Sequence, residues 1–410
     1  MRYFEKRRQS LFSLRMMNFS TAIGCGNILS MKRIYLDNAA TSWPKAPGVG
    51  ESMKDFIENG VVNPNRTESA LSFSLFETIY GLREMICTLY NYSHPECVCF
   101  TNNVTEALNL VMKGLLKSTD HVIVSGAEHN AVMRPLVQCG AEYSLIPCDS
   151  RGYCDCTHLE ELVRKNTKAV IVCHSGNVSG AVQDLTPVAE FVKKHNLMFF
   201  VDAAQSSPFI DLDMEKYNLT GVCFTCHKSF LGPEGVGGVI LRKDTALTIP
   251  PLIAGGTGSE SDSILIPSSL PDRLTAGTEN LPGLVGTACA LRYTLSNLSL
   301  LRDNCHSMTH RLMEGIAGIP SLTVKGAGMD DVRTSVVSVV SSKHDIAAIS
   351  SELLERGNIE TRVGLHCAPM AHRALGTFPT GTLRFSPGPF TTEDEIDETI
   401  RILKEIENED

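Results

Sequence analysis

Apolar segments of strand length, each closed by a polar residue or a glycine-rich turn, recur through the middle of this chain: Cys97 to Thr101, His121 to Ser125, Ala169 to His174, Met198 to Asp202, Gly221 to Thr225 and Gly238 to Leu241. Amphipathic stretches separate several of them, one opening at Thr105 and another running from Pro187 to Lys194. A strand that is apolar along its whole length has to be covered on both faces, and the intervening helices supply the cover. The pattern predicts a large three-layer α/β/α domain with a mostly parallel sheet. After about Pro282 the character changes. Helical patterns over 284–297 and 300–316 are followed by an alternating stretch from Val332 to Val340, a helix from Asp345 to Arg356, a strand over 381–386 and a final amphipathic helix from Glu393 to Glu405. This predicts a smaller α+β C-terminal domain. The expected division is a large domain over 51–285, a small domain over 286–410, and a leading segment, 31–50, packing with the small domain.

With 410 residues and 43% apolar content, the chain has ample material for two cores. A net charge of -9 with no basic stripe argues against nucleic-acid binding, and no apolar run reaches the roughly 18 residues of a membrane span. The 14 cysteines sit mostly beside apolar residues, as Cys173 and Cys223 do, which reads as core packing in a reducing, cytoplasmic setting rather than a disulfide framework. Cys223 and Cys226 form one C-x-x-C without a second pair, so no metal site is expected. The first thirty residues carry Arg2, Lys6, Arg7, Arg8 and Arg15 against the single acid Glu5. They fit a presequence, an accessory helix or an early start codon; the folded protein is expected to begin near Met31.

The polar residues at the strand ends carry the chemistry. Lys228 lies in a polar cluster with Thr225 and His227, just ahead of a glycine run, and Asp202 closes the strand before it. A lysine able to hold pyridoxal 5'-phosphate as a Schiff base, with an acid for the pyridine nitrogen, fits this pair. In an open α/β sheet, residues just past strand carboxyl ends line the ligand crevice. Asn177, Asp202, Gln205, Thr225, His227 and Lys228 all fall there. Asn102 to Glu106 sits between strand and helix, where backbone N–H groups and a capping Thr105 make an anion site. His129 follows another strand end and could stack on a flat cofactor. In the C-terminal part, Arg384 lies in a strand and could clamp a carboxylate, and Cys367 lies in a loop outside any strand pattern, expected to be mobile, where a reactive thiol makes sense.

These motifs together resemble the class V aminotransferases of pyridoxal-phosphate fold type I, and within them the cysteine desulfurases and selenocysteine lyases. Tyr35 to Thr41 is similar to the family's opening motif, His227-Lys228 with the following glycines to its signature, and the neighbourhood of Cys367 to the second desulfurase subgroup, where the thiol sits in a short ordered loop. The resemblance implies that Lys228 holds the cofactor and moves protons at Cα, Asp202 pairs with the ring nitrogen, Gln205 bonds the ring oxygen, and His129 stacks on the ring and takes part in acid–base steps. It implies that Thr105, Thr225 and His227 hold the phosphate, with Thr278 arriving from the partner of a homodimer. Asn177 and Arg384 would bind the carboxylate of L-cysteine or L-selenocysteine, and Cys367 would attack the substrate sulfur, leaving alanine and an enzyme persulfide for a sulfur-acceptor protein. His366 is expected to lower the Cys367 thiol pKa. The chain departs from the family at Asn103-Val104-Thr105, where a glycine and two hydroxyl residues are usual, and at Leu365-His366, where many relatives have two histidines. Two other readings stand beside this one: a class V reaction that does not use Cys367, and a non-catalytic partner subunit.

Overall fold

The computed structural model describes residues 32–60 and 69–409; the expected extension 1–30 and the start at Met31 lie outside the described residues. The chain opens with a two-residue strand, β1 (Ile34–Tyr35), then helices Val49–Asn59 and Ala70–Leu89. The large sheet follows: β2 (Val98–Thr101), β3 (His121–Ser125), β4 (Glu142–Ile146), β5 (Thr167–Cys173), β6 (Met198–Asp202), β7 (Gly221–Thr225) and β8 (Gly237–Leu241). Their spatial order is β2-β8-β7-β6-β5-β3-β4. The run from β7 through β6, β5 and β3 to β4 is parallel, and β8 is antiparallel to both its neighbours. β4 was not legible as a strand because it is a sheet edge whose Glu142 and Tyr143 face solvent.

Each central strand serves two cores at once. Val222 and Phe224 point into one, with Val170, Val201 and the helix Ala70–Leu89. Cys223 points into the other, with Val122, Ile171 and the helix Val104–Leu115. Burying both faces is what the continuous apolar runs demand. Cys97, Cys99, Cys223 and Cys226 are core residues, at most 1% exposed.

In the small domain, β9 (Leu322–Lys325), β10 (Val337–Ser341), β12 (Arg362–Gly364) and β13 (Thr382–Phe385) form an antiparallel sheet in the order β12-β13-β10-β9. The strand expected from Val332 begins at Val337, because 332–336 is taken up by the loop around Arg333. Helices Leu298–Ala317, Ile346–Gly357 and Glu393–Asn408 share a core with this sheet. The last helix is set by a capping box, Thr392 and Glu395 satisfying each other's backbone N–H groups. β1 pairs in parallel with β11 (Ile359–Glu360), so the start of the chain is stitched into the small domain. The helix Leu281–Ser296 packs on Val49–Asn59 and Ala70–Leu89 of the large domain, so a boundary drawn at 285 falls inside it.

Candidate active site

The carboxyl ends of β3, β5, β6 and β7 deliver the polar residues of the site. β6 ends in Asp202, 3% exposed, whose Oδ1 accepts from the Ala204 N–H at 3.0 Å. Burial raises its pKa, while that N–H and nearby Lys228 work the other way. Lys228 follows β7. Burial pushes its ammonium down to about 8, against the pull of Asp202, with Arg384 and Arg362 adding repulsion. Its loop is held from outside by the N-terminal segment: the His227 carbonyl accepts from the Ser42 N–H (2.8 Å), Thr41 Oγ1 (3.1 Å) and Lys45 Nζ (3.2 Å). Gln205 Nε2 donates to the Ala39 carbonyl of the same segment at 2.9 Å.

His129 is the N-cap of helix Asn130–Cys139. Its Nδ1 accepts from the Ala131 N–H at 3.0 Å, which places the proton of the neutral ring on Nε2. Burial, then Lys228 and Arg362, hold its pKa near about 4. Thr105 is not a helix cap, as the sequence suggested. Asn103 is, its Oδ1 accepting from the Glu106 N–H at 3.0 Å, and Thr105 is the second residue of the helix. Gly237 makes this corner possible, since a Cβ there would lie 2.6 Å from the Asn103 carbonyl carbon.

Cys367 lies in the tight turn between β12 and helix Pro369–Ala374, not in a mobile loop. His366 and Cys367 both have left-handed backbones, φ 47° and 58°, and the thiol is exposed. Two hydrogen bonds fasten the turn to the site, the Asn130 N–H to the Cys367 carbonyl (2.8 Å) and Asn177 Nδ2 to the His366 carbonyl (2.7 Å), and Arg384 Nη1 in turn donates to the Asn177 carbonyl (3.1 Å). Arg384, 1% exposed, also donates from Nη2 to Asp37 Oδ1 at 2.6 Å, and its Nε is buried without a partner. His366 does not act on Cys367 as expected. Its ring is buried toward Thr382 and His372, and burial beside Arg384 pushes its pKa down to about 2, so it carries no positive charge to lend.

Thr105, His129 and Cys367 line one cavity of about 410 Å³, and Lys228 and Gln205 open on a second of about 450 Å³ at the domain junction. Asp202, Thr225, Asn177 and Arg384 are buried. Thr278 stands apart, exposed beside Asn102 and Glu106. Sequence reasoning passed over Asp37 and Arg362. Arg362 lies directly opposite Arg384 in the β12–β13 register, yet makes no ion pair with any described residue. Only the pairing of strands reveals two arginines side by side, an arrangement that favours an anion.

The residues also fit pyridoxal 5'-phosphate. Thr225 Oγ1 and His227 Nδ1 are buried without hydrogen-bond partners on the loop that carries Lys228, as a phosphate cradle requires, and the Asp202 carboxylate is buried nearby.

Comparison with known proteins agrees with this geometry. The family model "Aminotransferase class-V" matches residues 34–399. Cysteine desulfurase IscS of Vibrio cholerae is 29% identical over 386 residues, covering 90% of this chain and 92% of its own. A probable cysteine desulfurase of Methanothermobacter thermautotrophicus is 29% identical over 385 residues, covering 91% and 94%. Among solved structures, the apo cysteine desulfurase of Thermococcus onnurineus superposes with a TM-score of 0.83 at 26% identity, covering 91% and 94%. Cysteine desulfurase CsdA of Escherichia coli does so with 0.81 at 25%, covering 90% and 94%. The match to the family model spans nearly the whole folded chain, and the chain belongs to the class V aminotransferases.

Proposed function

We propose that the protein is a cysteine desulfurase dependent on pyridoxal 5'-phosphate, converting L-cysteine to L-alanine while Cys367 takes the sulfur as a persulfide. The observation that carries this reading is the exposed Cys367 thiol on a left-handed turn whose backbone carbonyls accept from the Asn130 N–H, next to His129, and from Asn177, itself bonded to the buried Arg384. The likeness to proteins named cysteine desulfurase supports it.

When bound, the cofactor supplies an electron sink that makes the Cα proton of an amino acid removable. The Lys228 amine, depressed to about 8, is in part unprotonated near neutrality and suits taking that proton. The buried Asp202 would hold the ring nitrogen of the bound cofactor protonated. Arg362 and Arg384, paired across β12 and β13, are the cations this reading assigns to the substrate carboxylate. The Cys367 sulfur then attacks the substrate Sγ: an S–S bond forms, the Cβ–Sγ bond breaks, and Cβ takes a proton to give alanine.

Measuring alanine and sulfide from L-cysteine with a reductant tests the reading. Cys367→Ala should keep the yellow cofactor and lose both products by at least ~100-fold. Undiminished turnover would assign the chain to a class V reaction that spares this thiol.

We further propose a homodimer that hands its sulfur to an acceptor protein for iron–sulfur cluster or other sulfur-containing biosynthesis, in a reducing cytoplasm. The exposed Leu71, Phe73, Phe76 and Tyr80 on helix Ala70–Leu89 and the outlying Thr278 support the dimer. Sedimentation should give twice the 44.7 kDa chain mass; a monomer at micromolar concentration would refute it. The free thiols at Cys87 to Cys367 support the reducing setting.

A further inference from the structure

The turn 148–154 carries two thiols that the site chemistry does not use. Cys148 and Cys154 face each other across an isolated antiparallel bridge. The bonds that frame it run from the Asp149 N–H to the Tyr153 carbonyl (2.9 Å) and from the Asp155 N–H to the Pro147 carbonyl (2.8 Å). The two cysteines are therefore a non-hydrogen-bonded pair. That arrangement sets Cα atoms about 4.5 Å apart, inside the range of about 4.4–6.8 Å that a disulfide spans. Their Sγ atoms are already 3.6 Å apart, and both residues are partly open to solvent. No other pair of described cysteines makes such a contact.

We propose that Cys148 and Cys154 are a dithiol that peroxide oxidises to an intramolecular disulfide. One thiol already donates to the other across the 3.6 Å contact, which favours a thiolate on the accepting sulfur. That sulfur attacks hydrogen peroxide, forming a sulfenic acid and releasing one water. The second thiol then attacks the oxidised sulfur, the S–S bond forms, and the hydroxyl leaves as a second water. Two thiols lose two electrons and two protons, and one peroxide gains them. A metal is not the better occupant, since no cluster of three or more metal-binding side chains occurs among the described residues. The location matters: Cys148 packs against an apolar cluster that includes Ala127, two residues before His129, and Ala368, next to Cys367.

Arg151 lies between the two cysteines, which makes the test direct. The full-length protein, loaded with cofactor, is treated with equimolar hydrogen peroxide, blocked with iodoacetamide and digested with trypsin. Cleavage after Arg151 should leave the Cys148 and Cys154 peptides joined, two hydrogens lighter than their sum, and dithiothreitol should separate them. Fragmentation must place the link at Cys148–Cys154, and Cys148→Ser and Cys154→Ser should each abolish it. Full alkylation of both cysteines after peroxide, or a link through Cys139, Cys156 or Cys367 instead, would overturn the proposal.

Discussion

At the scale of single residues, the site is organised by one buried ion pair. Arg384 cannot reach water, and Asp37, in the segment after β1, balances it at 2.6 Å. Removing one member of a buried pair leaves the other charge uncompensated, which costs about 3–5 kcal/mol when both are fully enclosed. Asp37 is partly open, so Asp37→Ala should cost about 2–3 kcal/mol in urea unfolding. An unchanged midpoint would show that Arg384 finds another anion. The identities of Lys228, Asp202, Arg384 and Cys367 were all legible in the sequence because each breaks an apolar or glycine-rich context. Arg362 and Asp37 were not, because their meaning comes from the strand opposite.

At the scale of elements, the Cys367 turn depends on how closely β12 and β13 approach. Gly381 enters β13 with φ 87°, and a Cβ there would lie 2.3 Å from the Gly364 carbonyl carbon. Gly381→Ala therefore combines a disfavoured backbone with a backbone clash and should lose about 3 kcal/mol or more by urea unfolding. A loss under about 1 kcal/mol would mean that the hairpin yields, and the rigidity ascribed to the turn would fail. The left-handed pair His366–Cys367 explains why a loop reading of the sequence was too loose. No glycine marks the turn, and its order comes from carbonyls bonded to Asn130 and Asn177, residues of the other domain.

At the scale of the whole molecule, burial decides the charge of several histidines. His174, His366 and His372 are buried, with pKa values pushed down to about 4, 2 and 4, chiefly by desolvation. In the unfolded chain each takes up a proton near pH 6.5. The stability they leave intact above that pH is lost as pH falls through 6.5 toward about 4, because the unfolded state binds protons the fold refuses. Glu128 and Asp202, with raised pKa values, pull the opposite way. The clean comparison is therefore a variant: the fall in melting temperature on acidification should be smaller in His174→Gln than in the parent, and an equal fall would mean that His174 is charged in the fold.

The sequence by itself determined the layered α/β architecture, since continuous apolar strands have no other way to bury both faces. It also pointed to the cofactor, since a lysine in a polar, glycine-rich loop after a strand that ends in an acid suits pyridoxal 5'-phosphate. Only the tertiary structure decided what those residues can do. His366 is buried against Thr382 of β13, Arg384 is balanced because β1 crosses to the small domain, and Cys367 is presented because Asn130 and Asn177 hold its turn. These contacts join segments distant in sequence, and local patterning carries no record of which segment will supply the partner.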